Sequence, residues 1–259
     1  MAPRTTFVEA ALTHQRVTLA VVLVLIPLAC WIWIVAMARD MYGTMTGPSA
    51  WMMSANWDTP RLIALWAMWA AMMAGMMLPS AVPVVLLYAR AARNRPGEGH
   101  PAARIYAFAF GYVLVWAVFS AGATVLQRVL ARRLLLTPMM EPAVPVAAAT
   151  LLFVAGLYQL TPLKHRCLQS CRSPLVFLTT RWRTGAGGAA RMGVEHGIYC
   201  VGCCWTLMLL LFAGGVMNLA VILALTVWVA VEKLAPFGEQ SARAGGALLI
   251  GAGVWMLLR

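Results

Sequence analysis

The sequence predicts an all-α fold, a polytopic transmembrane bundle of six or seven helices formed by residues 1–259 as a single domain. Of the 259 residues, 62% are hydrophobic and 11% are charged, whereas soluble domains average about 45–50% apolar and about 25% charged residues. The apolar residues are also grouped into runs of about 20, the length that crosses a bilayer as a helix. So few charges could not cover that much apolar surface in water, which argues against a soluble enzyme.

Seven apolar segments are the candidates for these helices. The second contains Pro79 and Pro83. Because proline lacks the amide hydrogen and clashes with the preceding turn, we expect this helix to be bent or interrupted near Pro79. The seventh segment is the shortest, so the prediction is six or seven helices. The segments are residues 17–38, 62–88, 105–126, 143–160, 197–212, 216–234 and 244–258.

The distribution of basic residues predicts the orientation. The net charge is +12, and most Lys and Arg residues lie in short loops between apolar runs. That pattern is typical of topology signals and of contact with anionic lipids, and no nucleic-acid partner is expected. With a cytoplasmic N-terminus, 14 of the 20 Lys and Arg residues lie on the cytoplasmic side. Loop 39–61, rich in Met and Trp, is then external, and the basic loop 163–196 is cytoplasmic.

Methionine is concentrated in the second segment, where five of the 17 methionines lie within ten residues. They form two adjacent stacks at a spacing of four, so each stack shares one helix face. Thioethers are soft neutral ligands that favour Cu(I) over Zn²⁺ or Mg²⁺, although methionine also fills gaps in apolar cores. The stacks are Met68, Met72 and Met76 beside Met73 and Met77, and the external methionines are Met41, Met45, Met52 and Met53.

The fifth segment opens with the run HGIYCVGCCW, residues 196–205. His196, Cys200 and Cys203 share one helix face, and Cys204 lies one turn after Cys200. A cluster of thiolates and an imidazole suits Cu(I), Zn²⁺ or an iron site. The alternative interpretation is that these cysteines are small buried hydrophobic residues.

A second cysteine motif, KHRCLQSC, occupies residues 164–171. Cys167 and Cys171 share a face if the segment is helical, and His165 precedes them. Neighbouring cations favour the thiolate form of a cysteine. The spacing does not match a zinc finger, so a metal or redox role and an inert pair both stay open.

Three motifs together carry a family resemblance: MWAAMMAGMMLPSAVP at 68–83, YQLTPLKHRCLQSCRSP at 158–174, and HGIYCVGCCWTLMLLLFAGGVMNL at 196–219. Glu232 and Lys233 follow at the end of the sixth segment, where pairing with neighbours or with lipid is expected. The chain resembles a bacterial family known as predicted metal-binding integral membrane proteins, a domain of unknown function. The resemblance implies a bound metal and the bacterial inner (cytoplasmic) membrane as the location.

The leading hypothesis is that the protein binds or moves a soft metal ion, with Cu(I) expected and zinc or iron as alternatives. The external methionines would capture the ion, the second segment would conduct it, and the Cys and His clusters would form the inner sites. The chain has no P-loop, so any transport would be passive or coupled to an ion gradient.

Two other hypotheses remain open. One is a membrane thiol–disulfide redox protein that uses Cys203–Cys204 or Cys200–Cys203 together with Cys167–Cys171. The other is a non-catalytic subunit or assembly partner of a membrane complex, whose partner is another membrane protein or a second copy of the chain. Enzymatic activity is expected only of the redox protein.

Overall fold

The computed structural model describes residues 7–43, 57–95, 97–137 and 140–258, and the regular elements of these residues are helices. The predicted all-α class is therefore confirmed. The helices are α1 (Phe7–Met41), α2 (Thr59–Arg93), α3 (Pro101–Arg132), α4 (Pro145–Gln159), α5 (Pro162–Arg172), α6 (Pro174–Thr180), α7 (Gly185–Leu209), α8 (Leu211–Gly214), α9 (Leu219–Leu234) and α10 (Gly238–Leu258).

Five helices are long and apolar enough to cross a membrane, so the predicted count of six or seven is not confirmed. A sixth span is formed if α4 and α5, which are bent by 66° at the break between them, count as one. The predicted seventh helix, expected to be the weakest, is among the five. The five spans are Val21–Met41, Thr59–Arg93, Pro101–Arg132, Gly185–Gly214 and Gly238–Leu258.

The sixth predicted segment, 216–234, is too short to cross a bilayer because its helix begins three residues later than expected. Gly215 has a φ of +90°, a conformation that favours glycine and turns the chain between α8 and α9. Asn218 then caps α9, its side chain accepting hydrogen bonds from the amides of Ala220 and Val221. The remaining 16 residues of α9 rise about 24 Å, less than the roughly 30 Å of a bilayer core.

Of the bend or interruption expected near Pro79, the interruption is wrong, because α2 runs unbroken through Pro79 and Pro83, and the bend stays a prediction. Pro79 cannot donate to the carbonyl of Gly75 four residues earlier. The indole Nε1 of Trp31 in α1 donates to that carbonyl at 3.2 Å. A neighbouring helix thus satisfies the group that proline leaves free, and α2 continues.

The segment predicted as the basic loop 163–196 is largely helical. It forms α5, α6 and the first half of α7. Most of the other predicted loop, 39–61, lies outside the described residues, which stop at 43 and resume at 57. On which side of a membrane these two segments lie stays a prediction.

Helices α3 and α7 pack backbone against backbone. A Cβ atom at Gly193 would collide with the carbonyl oxygen of Phe108, and one at Gly111 would collide with that of Ala190. Small residues allow this close approach between helices. The contact places the cysteines of α7 beside the aromatic residues of α3.

We expect the Gly193→Ala variant to be destabilised by about 1–3 kcal/mol, because overpacking forces α3 and α7 apart. The control is Gly187→Ala in the same helix, where the added Cβ meets open space. Thermal unfolding in detergent compares the two. Equal midpoints for the two variants would show that the helices do not pack as described.

Candidate metal centre

Five sulfur atoms from three helices meet in the interior of the bundle and form what we call the sulfur cluster: Met77, Cys171, Cys200, Cys203 and Cys204. The three cysteines of α7 are at most 2% exposed. The Sγ of Cys204 lies 3.8 Å from the Sδ of Met77 in α2. The Sγ of Cys203 lies 3.9 Å from the Sγ of Cys171 in α5. The α7 thiols therefore face the interior, and Cys204 lies across from Met77.

The thiols of α7 are held in place by their own helix. Cys203 and Cys204 both donate to the carbonyl oxygen of Cys200, at 3.1 and 2.9 Å. All six cysteines of the chain are free thiols. Each of these two sulfur atoms thus has one acceptor within its helix and one sulfur neighbour on another helix.

Lys233 belongs to this centre, although the sequence suggested only a pairing with neighbours or lipid. Its Nζ lies 3.0 Å from the Sγ of Cys200 and 3.7 Å from the Sδ of Met77. The same ammonium group donates to the Oγ of Ser80 at 3.3 Å. The side chain is 7% exposed, so it points into the bundle instead of extending to the membrane surface.

Tyr112 of α3 completes the surroundings of Cys200. Its hydroxyl lies 3.1 Å from the Sγ of Cys200 and 3.3 Å from the carbonyl oxygen of Met77. The sulfur of Cys200 therefore has a hydroxyl and an ammonium group at hydrogen-bonding distance. A nearby cation of this kind stabilises a negatively charged thiolate.

The carboxylate of Glu232 anchors the end of α9 next to the cluster. Its Oε2 forms a 2.6 Å salt bridge with Lys164 of α5, and both side chains are buried. Its Oε1 accepts hydrogen bonds from Gln159 of α4 and Trp228 of α9, both at 2.8 Å. Glu232 thereby fixes α9 against α4 and α5, and the next residue, Lys233, is directed toward α7.

The two predicted histidine ligands are less well placed. His196 is buried one turn before Cys200, but its ring lies among those of Phe108, Tyr112 and Phe177, at centroid distances of 6.3, 5.8 and 5.3 Å. Its Nδ1 has no hydrogen-bond partner among the described residues. His165 is half-buried in α5 and lies about 120° around that helix from Cys171.

Of the remaining candidates, those that the structure describes lie in α1, α2 and α5. Cys167 is half-buried, and a Cβ at Gly202 would lie 2.8 Å from its Sγ, so this thiol packs against α7. Met41 is buried at the end of α1, while Met45, Met52 and Met53 lie outside the described residues. The other methionines of α2, all at most 2% exposed, are Met68, Met72, Met73 and Met76.

The donor set decides which ions suit this centre. Among the described residues, no group of three or more His, Cys, Asp or Glu side chains is arranged to hold a metal ion. The described sulfur contacts are two pairs, Cys204–Met77 and Cys203–Cys171, and thiols with a thioether are the donor set of a soft ion such as Cu(I). Carboxylate oxygens, which Mg²⁺ and Ca²⁺ require, are absent from the described contacts of the sulfur cluster.

The sequence matches a known protein family over most of its length. A family model described as PpoB2, copper chaperone, matches residues 66–256. The matched range extends from α2 to α10 and includes the whole sulfur cluster together with Lys233. No curated protein and no solved structure matches the chain.

We expect Glu232→Gln to lower the free energy of unfolding by about 3–5 kcal/mol, because it leaves the buried ammonium of Lys164 without its partner. The control is Glu239→Gln, since Glu239 is bonded to Gln169 at an exposed position and should change stability by less than about 0.5 kcal/mol. Chemical denaturation of both variants checks this expectation. If Glu232→Gln were as stable as the control, Glu232 would not fix α9 against α4 and α5.

Proposed function

The chain belongs to the PpoB2 copper chaperone family, and we propose on that premise that it holds Cu(I) as cargo in the sulfur cluster and passes it to a partner. We further propose that it does so within the inner membrane of a bacterium, with a cytoplasmic N-terminus. The five membrane-length helices and the uneven distribution of Lys and Arg support this placement.

The observation that carries the proposal is the close approach of sulfur atoms from three helices in two pairs. Two sulfur ligands of one tetrahedral ion, each about 2.3 Å from it, lie about 3.8 Å apart. The pairs Cys204–Met77 and Cys203–Cys171 are separated by 3.8 and 3.9 Å. Small shifts of side chains would therefore let thiols of α5 and α7 and the thioether of α2 share an ion.

The composition of the cluster also suits a carrier that must release its cargo. A thiol gives up its proton when it binds Cu(I), and the resulting thiolate is a strong ligand for this ion. The thioether of Met77 is neutral, needs no deprotonation and binds more weakly. A partner thiol could therefore replace Met77 first and take over the ion by ligand exchange. Each partner thiol loses a proton as it binds and each departing cluster thiolate gains one, so the oxidation state of copper does not change.

Helix α5 provides a path between the cluster and the surface. Its Cys171 is a member of the cluster, and the half-buried Cys167 lies one turn earlier. The outer face of the same helix borders a cavity of about 420 Å³, lined among others by Arg166 and Ser170. We propose that the ion leaves or enters the cluster along α5.

A second candidate function rests on the pair Cys171 and Cys203. The redox hypothesis paired cysteines within one motif, whereas the structure brings together two cysteines from different motifs. Their sulfur atoms, at 3.9 Å, are beyond the roughly 2.05 Å of a disulfide bond, but a disulfide of a partner could join them by thiol–disulfide exchange, in which the partner disulfide takes up the two electrons and two protons and becomes two thiols. A disulfide there would remove two thiols from the cluster, so copper loading and thiol oxidation would exclude one another.

We expect the double variant Cys171→Ser/Cys203→Ser to bind Cu(I) at least about tenfold more weakly than the natural chain, a loss of about 1.4 kcal/mol or more. The measurement is competition with a chromophoric Cu(I) chelator, under anaerobic conditions, on protein purified in detergent. The control is Cys30→Ser, because Cys30 lies on α1 against Gly75 and outside the cluster.

Circular dichroism establishes that each variant remains helical. Equal copper affinity in the double variant and in Cys30→Ser would contradict the proposed site. A natural chain that binds no Cu(I), but forms a Cys171–Cys203 disulfide on mild oxidation, would favour the redox function instead.

A further inference from the structure

We infer that Lys233 is a specificity-determining residue that makes the sulfur cluster prefer a monovalent soft ion over a divalent one. The inference rests on the proposed function, since it concerns the ion that the cluster holds. Sulfur ligands can bind a soft ion without a positive charge beside them, so the ammonium group of Lys233 needs an explanation of its own.

The contacts of Lys233 place a positive charge among the proposed ligands. Its Nζ is 3.0 Å from the sulfur of Cys200 and 3.7 Å from that of Met77. Its nearest carboxylate along the chain, Glu232, is bonded to Lys164. Among the described residues, Lys233 has no carboxylate within salt-bridge distance, so its charge faces the cluster.

The structure around Lys233 keeps this charge in position. The bonds of Glu232 to α4 and α5 hold the end of α9, and Arg172 donates to the carbonyl oxygen of Glu232 at 2.8 Å. The hydroxyl of Ser80 in α2 accepts from the ammonium group at 3.3 Å. The ammonium group is thus directed at the cluster by contacts from several helices.

The preference follows from Coulomb's law. A metal ion bound to the sulfur atoms would lie a few ångströms from the ammonium group, and its repulsion is proportional to its own charge. For any fixed number of thiolates, Zn²⁺ is repelled twice as strongly as Cu(I). Because the group is buried, salt screens this difference much less than it would at a surface.

The same charge also favours formation of the thiolates that bind either ion. For the same set of bound thiolates, that contribution is common to Cu(I) and Zn²⁺ and cancels when their affinities are compared. The ratio of the two affinities therefore isolates the effect of the ammonium charge, whereas the copper affinity alone would not.

The test compares Lys233→Leu, which removes the charge and adds no metal ligand, with Lys233→Arg, which keeps the charge. Affinities for Cu(I) and Zn²⁺ are measured by chelator competition on the full chain in detergent. We expect the ratio of Cu(I) to Zn²⁺ affinity to fall at least about tenfold in Lys233→Leu and to change less than about threefold in Lys233→Arg.

A second variant, Lys233→Gln, covers the case in which Lys233→Leu does not fold. Its neutral amide can still bond to Ser80 but carries no charge, so the same ratio should fall. If the natural chain binds Cu(I) but the ratio of Cu(I) to Zn²⁺ affinity is unchanged in both charge-altering variants, the role of Lys233 is overturned and the proposed function is not. A natural chain that binds no Cu(I) overturns the proposed function as well.

Discussion

The buried ion pair between Lys164 and Glu232 is the constraint on which the rest of the centre depends. Two opposite charges taken out of water are tolerated only when each has its partner and its remaining hydrogen bonds. Glu232 meets that requirement with Lys164, Gln159 and Trp228, which lie on three different helices. Because these partners hold the C-terminal end of α9 in its position in the bundle, they also hold Lys233 in place.

The chemistry of the cluster follows from this placement. Helix α7 contributes three thiols, and its glycine contact with α3 brings the hydroxyl of Tyr112 to Cys200. Helix α2 contributes Met77, while α5 contributes Cys171. Soft ligands, one fixed positive charge and no carboxylate among the described contacts of the cluster form a combination that suits a singly charged soft ion better than a hard or divalent one.

Local patterns in the sequence predicted the helices and the thiols but not the contacts between helices. A spacing of three or four residues is enough to place Cys200, Cys203 and Cys204 on one face of a helix. No such spacing links Cys203 to Cys171, or Lys233 to Cys200, because these pairs are 32 and 33 residues apart and meet only by packing. The continuity of α2 likewise depends on the indole of Trp31, which no local pattern reveals.

The most direct test of the sulfur cluster as a copper site is X-ray absorption spectroscopy at the copper edge of the loaded protein. The structure predicts Cu(I) with a first coordination shell made only of sulfur, since His196 is held among aromatic rings and His165 lies on another face of α5. A first shell that contains nitrogen or oxygen ligands, or an edge position typical of Cu(II), would contradict the assignment of the cargo to these residues.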